Sequence, residues 1–296
     1  MILMKRLVST VINMHGLSGI NIELTSRCNK GNGLPGSGCY MCGRRKLERE
    51  HPELANYGDM PLEMVKRIAD QIPPGVFIQL HRDGEPLLYP HFAEALKLFS
   101  GHYVGLNTNG KLLMERQGAI RAYLSTITIS IIPYDPDEDE QLDIAQQFLG
   151  FEHRPLVVFR LLGEIDHYRR KFIESWQHTY HKVLVANRIL HSPDGSFDYE
   201  KQVTIPETGI CQEMLHKLAI DRYGNVYPCV RFDPHKLNLL GNVNDPPYTM
   251  SILKWLWNGK GKHGGKRRQW IQHHIDGRRD LVPLCSECHF WGIPRS

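Results

Sequence analysis

Six apolar runs of strand length, alternating with five segments whose apolar residues fall near helical spacing, predict an α/β protein built on a parallel sheet. About 180 residues carry this alternation, too few for an eight-unit barrel, so the prediction is an open partial (β/α)6 barrel. From about Ser192 the pattern changes, and the remainder reads as a small C-terminal α+β domain. The expected division is therefore 1–195 for the barrel and 196–296 for the second domain.

The strand-like runs are Ile20–Leu24, Val76–Leu80, Tyr103–Leu106, Thr126–Ile132, Leu156–Leu161 and Val183–Ala186. Each is short and rich in β-branched or large apolar side chains, which suits a strand covered on both faces. Between them lie the helix-like segments Pro61–Ile72, His91–Phe99, Leu112–Tyr123, Glu138–Leu149 and Asp166–Trp176. The acidic run Asp135–Glu140 opens one of these, placing carboxylates at the positive end of the helix dipole. Ser192-Pro193-Asp194-Gly195 is a turn or linker. Leu218–Asp221 and Val226–Val230 flank Tyr223-Gly224-Asn225, which predicts a hairpin, and helices are expected at Thr249–Trp257 and Lys266–Ile275.

Composition is that of an ordinary folded chain: 296 residues, 41% hydrophobic and 23% charged, which excludes disorder, collagen and coiled coil. The excess of 36 Lys and Arg over 32 Asp and Glu is too slight to argue for nucleic acid. No apolar run approaches the roughly 18–20 residues that cross a bilayer, and the first 14 residues lack the apolar core and cleavage site of a signal peptide. The expectation is a cytoplasmic protein with no membrane partner.

The seven cysteines are Cys28, Cys39, Cys42, Cys211, Cys229, Cys285 and Cys288. An odd number, gathered at the two ends with none between, makes a poor disulfide framework and a natural three plus four for metal. Cys39/Cys42 and Cys285/Cys288 have the Cys-x-x-Cys spacing that brings two soft thiolates to one zinc ion or iron–sulfur cluster. A four-cysteine zinc site from the two pairs would leave Cys28, Cys211 and Cys229 idle. A thioredoxin-like motif would open a helix after a strand, whereas Cys39 sits in a glycine-rich loop.

Three cysteines after the first strand, Asp83-Gly84-Glu85-Pro86 after the second and Asn107-Thr108-Asn109-Gly110 after the third resemble the radical S-adenosylmethionine (radical SAM) superfamily. The resemblance covers roughly residues 18–290. It implies that Cys28, Cys39 and Cys42 hold a [4Fe-4S] cluster whose fourth iron binds S-adenosylmethionine. It further implies that Gly84, Glu85 and Pro86 receive the methionine ammonium group, and that Asn107, Ser130 and Arg160 contact the rest of the cofactor. Tyr40 and Met41 stand where an aromatic residue packs near the adenine. Two features depart from the pattern: Asp83 replaces the usual first glycine, and ten residues, Asn29 to Gly38, separate Cys28 from Cys39 where most members have three. Loop closure over the longer segment costs only about 0.6 kcal/mol per doubling of length.

Cys211, the Gly224 turn before Cys229, and the terminal Cys285-x-x-Cys288 resemble the twitch variant of the SPASM extension, which implies one auxiliary [4Fe-4S] cluster. Four cysteines close such a cluster, so electron transfer rather than substrate binding is its implied role. The spacing resembles members that dehydrogenate an aminocyclitol more than the molybdenum-cofactor cyclase. Since three plus four uses every cysteine, none is left to donate a hydrogen atom. The implied reaction is oxidation of a small polar molecule, with an external one-electron reductant of flavodoxin or ferredoxin type. The alternatives are radical modification of a peptide or nucleotide, and a metal-cluster protein that binds nucleic acid.

Lys254, Lys260, Lys262, His263, Lys266, Arg267 and Arg268, interleaved with Trp255, Trp257 and Trp270, suit a phosphate or RNA, or else a solvated loop beside a helix whose tryptophans are core. His81, Arg82 and Tyr134 fall at strand ends and are expected substrate contacts.

Overall fold

Every run predicted as a strand is one in the computed structural model, which describes residues 16–30, 39, 42–133, 135–188, 210–245, 253, 256–257, 265–286 and 288. The strands are β1 (Gly19–Ile22), β2 (Phe77–Leu80), β3 (Val104–Thr108), β4 (Thr126–Ile131), β5 (Leu156–Leu162) and β6 (Val183–Arg188). The helices between them are α2 (Leu62–Ala69), α3 (Phe92–Leu98), α4 (Leu113–Tyr123), α5 (Glu138–Leu149) and α6 (His167–Thr179). Consecutive strands pair in parallel from β1 to β6, as helical crossovers require. Two helices were not anticipated: α1 (Gly43–Glu50), directly after Cys42, and the five-residue α7 (Gln212–His216), directly after Cys211.

The predicted hairpin forms as β7 (Lys217–Ile220) and β8 (Asn225–Tyr227), preceded by α7 (Gln212–His216) and followed by the two-residue β9 (Gly241–Asn242). Gly224, at φ 81°, makes its turn in a left-handed conformation that favours glycine. β7 lies parallel to β1, with Gly19 opposite Lys217, so the hairpin continues the first sheet. The strand order is β6-β5-β4-β3-β2-β1-β7-β8-β9, a mixed α/β arrangement of nine strands. The hydrophobic core likewise runs from Ile20, Ile78 and Phe159 through to Leu253, Trp270 and Cys285. The predicted boundary at 195/196 lies outside the described residues, and so does most of the helix expected at Thr249–Trp257. The last helix, α8 (Lys266–Ile275), forms as predicted.

Its basic residues are less solvated than the sequence implies. Arg267 is buried, stacked 3.5 Å over the Trp257 ring, and donates to the carbonyls of Met214, Leu215 and Trp257. Lys266 donates to the carbonyl of Leu239. Arg267 thereby fastens α8 to α7 and to Trp257, and Lys266 fastens it to the chain ahead of β9. No described helix is long and apolar enough to cross a membrane.

Candidate active site

Residue parity along the strands divides the sheet into two faces. Ile20, Ile22, Ile78, Leu80, Leu106, Ile127, Ile129, Val157 and Phe159 are wholly enclosed on the helix side. The opposite parity supplies Asn21, Gln79, Asn107, Ser130 and Arg160 to the wall of a cavity of about 550 Å³. Gly105 keeps that face open, since a Cβ there would come within 2.4 Å of the Phe77 ring. All seven cysteines line the same cavity, and none is in a disulfide.

The first cysteine group is held by the exits of β1, β2 and β3. The chain leaving β1 bends through Thr25 and Ser26, pinned by Thr25 Oγ1 donating to Asp59 (2.7 Å) and Ser26 N–H to the Gly58 carbonyl (3.0 Å). Against it lies Gly84, whose missing Cβ would stand 2.0 Å from the Thr25 oxygen and 2.8 Å from that of Arg27. Glu85 N–H donates to the Arg27 carbonyl at 2.7 Å, so the two exits are zipped together one residue before Cys28. The Glu85 carboxylate is buried and accepts from Leu87 N–H (3.1 Å), the Thr108 hydroxyl (2.8 Å) and Asn109 N–H (2.8 Å). Burial outweighs these bonds and pushes its pKa up to about 7. Glu85 is thus a strut from β2 to β3. Pro86 is buried behind it and opens the turn Pro86–Leu88.

Backbone N–H groups also face the thiols. Cys28 accepts from Lys30 N–H, and Cys42, at the head of α1, accepts from the N–H groups of Arg44 and Arg45. Asn109 reaches from β3 to within 4.0 Å of the Cys28 sulfur. Lys30, wholly enclosed, pairs with buried Asp135 beside α5, and its charge favours ionisation of Cys39. The three thiols oppose one another's ionisation, and burial pushes all three up, Cys42 to about 11.

The second group gathers Cys211 at the head of α7, Cys229 after β8, and Cys285 with Cys288 after α8. Cys229 is raised by burial and by the charges of Cys285, Cys211 and Cys288, so the four thiols are mutual neighbours. Two buried guanidinium groups adjoin them. Arg279 donates to the carbonyls of Cys285 (3.3 Å) and Cys288 (3.5 Å). Arg231 lines the cavity, and its charge favours the Cys285 thiolate, whose pKa burial pushes up to about 12. Between the groups, Arg82 lies among Asp83 (3.6 Å), Asp221 (3.7 Å) and Glu23 (3.8 Å), with its guanidinium 4.6 Å from the Tyr227 ring.

Of the residues expected at the site, the seven cysteines, His81, Arg82, Gly84, Glu85, Asn107, Ser130 and Arg160 all line the cavity. Ser130 and Arg160 are register partners on β4 and β5. Tyr40, Met41 and Tyr134 lie outside the described residues. Lys30, Glu23 and Arg231 were not singled out from the sequence, and Asn109 only as a member of the Asn107–Gly110 motif. Their signal was weak, because each is a polar residue within five positions of a motif and only burial shows that it faces inward.

The donor set fits iron–sulfur chemistry. Thiolates are soft ligands, backbone N–H groups already point at the sulfurs, and buried cations stand beside both groups to balance negative charge. Among the described residues no three or more His, Cys, Asp or Glu side chains are set to hold a single metal ion.

No protein-family model matches this sequence, and no curated protein matches it. Solved structures do share its fold. BtrN in complex with AdoMet and 2-DOIA superposes with a TM-score of 0.50 at 17% identity, over 92% of each chain. SuiB of Streptococcus suis, bound to S-adenosylmethionine, superposes with a TM-score of 0.53 at 13% identity, over 96% of this chain and 76% of that one. The class shown is a fold found in proteins that bind S-adenosylmethionine.

Proposed function

We propose that this chain is a radical SAM enzyme that oxidises a small polar molecule. The observation that carries the reading is the convergence of all seven cysteines on one cavity, three at the exits of β1–β3 and four in the C-terminal part. On this reading the strands β1–β6 are a partial (β/α)6 barrel, and the part after β6 is a twitch-type extension. Cys28, Cys39 and Cys42 would hold one [4Fe-4S] cluster and Cys211, Cys229, Cys285 and Cys288 an auxiliary one. When bound, these groups supply reductive cleavage of S-adenosylmethionine to methionine and a 5′-deoxyadenosyl radical, and an acceptor for the electron that the substrate loses.

The chain's own part is positioning. Gly84 and Glu85 fix the loop that carries Cys28. Asn107, Ser130 and Arg160 present donors and acceptors to whatever occupies the cavity. Arg82, with three carboxylates around it, keeps the rim between the two cysteine groups polar. A cavity of about 550 Å³ suits small ligands, whose orientation a few fixed polar groups decide. An external donor of flavodoxin or ferredoxin type would supply the first electron.

The test is anaerobic reconstitution followed by an assay for 5′-deoxyadenosine with dithionite and S-adenosylmethionine. About eight irons per chain, as two four-iron clusters require, with product formed supports the reading. Cys42→Ala should abolish cleavage, whereas Cys285→Ala should leave cleavage and lose substrate oxidation. Retained 5′-deoxyadenosine in Cys42→Ala would overturn the cluster assignment.

A further inference from the structure

We infer that Arg231 is a positioning residue of the second cysteine group, holding a fixed positive charge with unpartnered side-chain N–H groups in the cavity that its thiols line, so that the centre held there takes up an electron more readily. This rests on the two-cluster reading above. Arg231 is 6% exposed, and its Nε and Nη1 are enclosed without any hydrogen-bond acceptor among the described residues. An enclosed guanidinium with no anion beside it is an expensive arrangement, tolerated where a negative partner belongs. The neighbouring anions are sulfur. The main-chain N–H of Arg231 donates to the Cys229 sulfur, which anchors the residue at the thiol group, and of all charges acting on Cys285 that of the Arg231 side chain is the strongest.

Arg279 differs, because it is engaged by the carbonyls of Cys285 and Cys288 and so holds the Cys-x-x-Cys turn. The acid nearest Arg231 in sequence, Asp233, is bonded to the N–H groups of Leu237 and Asn238. The charge of Arg231 is therefore directed at the thiolate site. A cation beside a cluster favours the state with one more electron. No bond to Arg231 forms or breaks. One electron enters the centre, from dithionite in a titration or from the substrate radical in turnover.

The test is an anaerobic, EPR-monitored redox titration of the reconstituted full-length protein. S-adenosylmethionine is present, so that the signal it alters identifies the first cluster and the unaltered signal the second. Arg231→Gln should lower the midpoint of the second signal by at least a tenfold weaker electron uptake, about 59 mV for one electron, and leave the first unmoved. Arg231→Lys, which keeps the charge and loses the planar fork, should fall between them. Where Arg231→Gln does not load iron, Arg231→Met, which keeps an unbranched side chain without the charge, carries the test, and an unmoved midpoint overturns the inference. A second midpoint that is the same in all three proteins overturns it while leaving the two-cluster reading intact. A native protein with only one four-iron signal overturns both.

Discussion

Gly84 illustrates how a motif residue becomes a packing constraint. Its Cβ position is occupied by the main chain leaving β1, and a backbone oxygen cannot rotate out of the way. Gly84→Ala should therefore push Thr25 and Arg27 apart, at a cost of about 3 kcal/mol in unfolding free energy. A lower urea midpoint with an unchanged slope checks it. A variant as stable as the parent would mean that the two exits are not packed as described. The sequence flagged Asp83-Gly84-Glu85-Pro86 by resemblance, and the reason for the glycine, close backbone approach, needed the fold. Glu85 was legible as a site residue, but its attachment to Thr108 and Asn109 was not, because those partners lie 23 and 24 positions away.

Long elements that bury an apolar face were legible, and those that are short or bury none were missed: α7 has five residues and buries only Met214. Helix α1 has the sequence GRRKLERE and no buried residue; it is held by Arg44–Glu48, Arg45–Glu48 and Lys46–Glu50 ion pairs, which leave no apolar period to detect. The cluster at the exits of β2, β1 and β7 is likewise polar. There Glu23 faces Asp83, Arg82, Asp221 and Arg222, and burial with the like charges pushes its pKa from the ordinary 4.5 up to about 8. Between those values the folded protein keeps a proton that the unfolded chain has lost, so stability falls as pH rises from about 4.5 to 8. Glu23→Gln should remove that loss, of about 5 kcal/mol over the roughly 3.5 pH units between those values, and flatten the urea midpoint across the same range. Identical pH profiles for parent and variant would place the titration elsewhere.

At the scale of the molecule, the sequence separated residues 1–195 from 196–296 because composition and periodicity change there, and a local pattern cannot show pairing across the chain. The pairing decides the behaviour. β7 joins β1 in parallel across almost 200 positions, and the core on either side of that junction is continuous. Removing the C-terminal part would strip β1 of one neighbour and expose an edge in the middle of the sheet. Four of the five tryptophans, Trp255, Trp257, Trp270 and Trp291, belong to the C-terminal part, whereas helical ellipticity comes chiefly from α2–α6. Tryptophan fluorescence and far-ultraviolet circular dichroism therefore report different regions of one sheet. In urea their transitions should coincide, as a single cooperative unit requires. A fluorescence midpoint well below the dichroism midpoint would show that the C-terminal part melts alone, and that the β1–β7 junction contributes too little to couple the two cysteine groups.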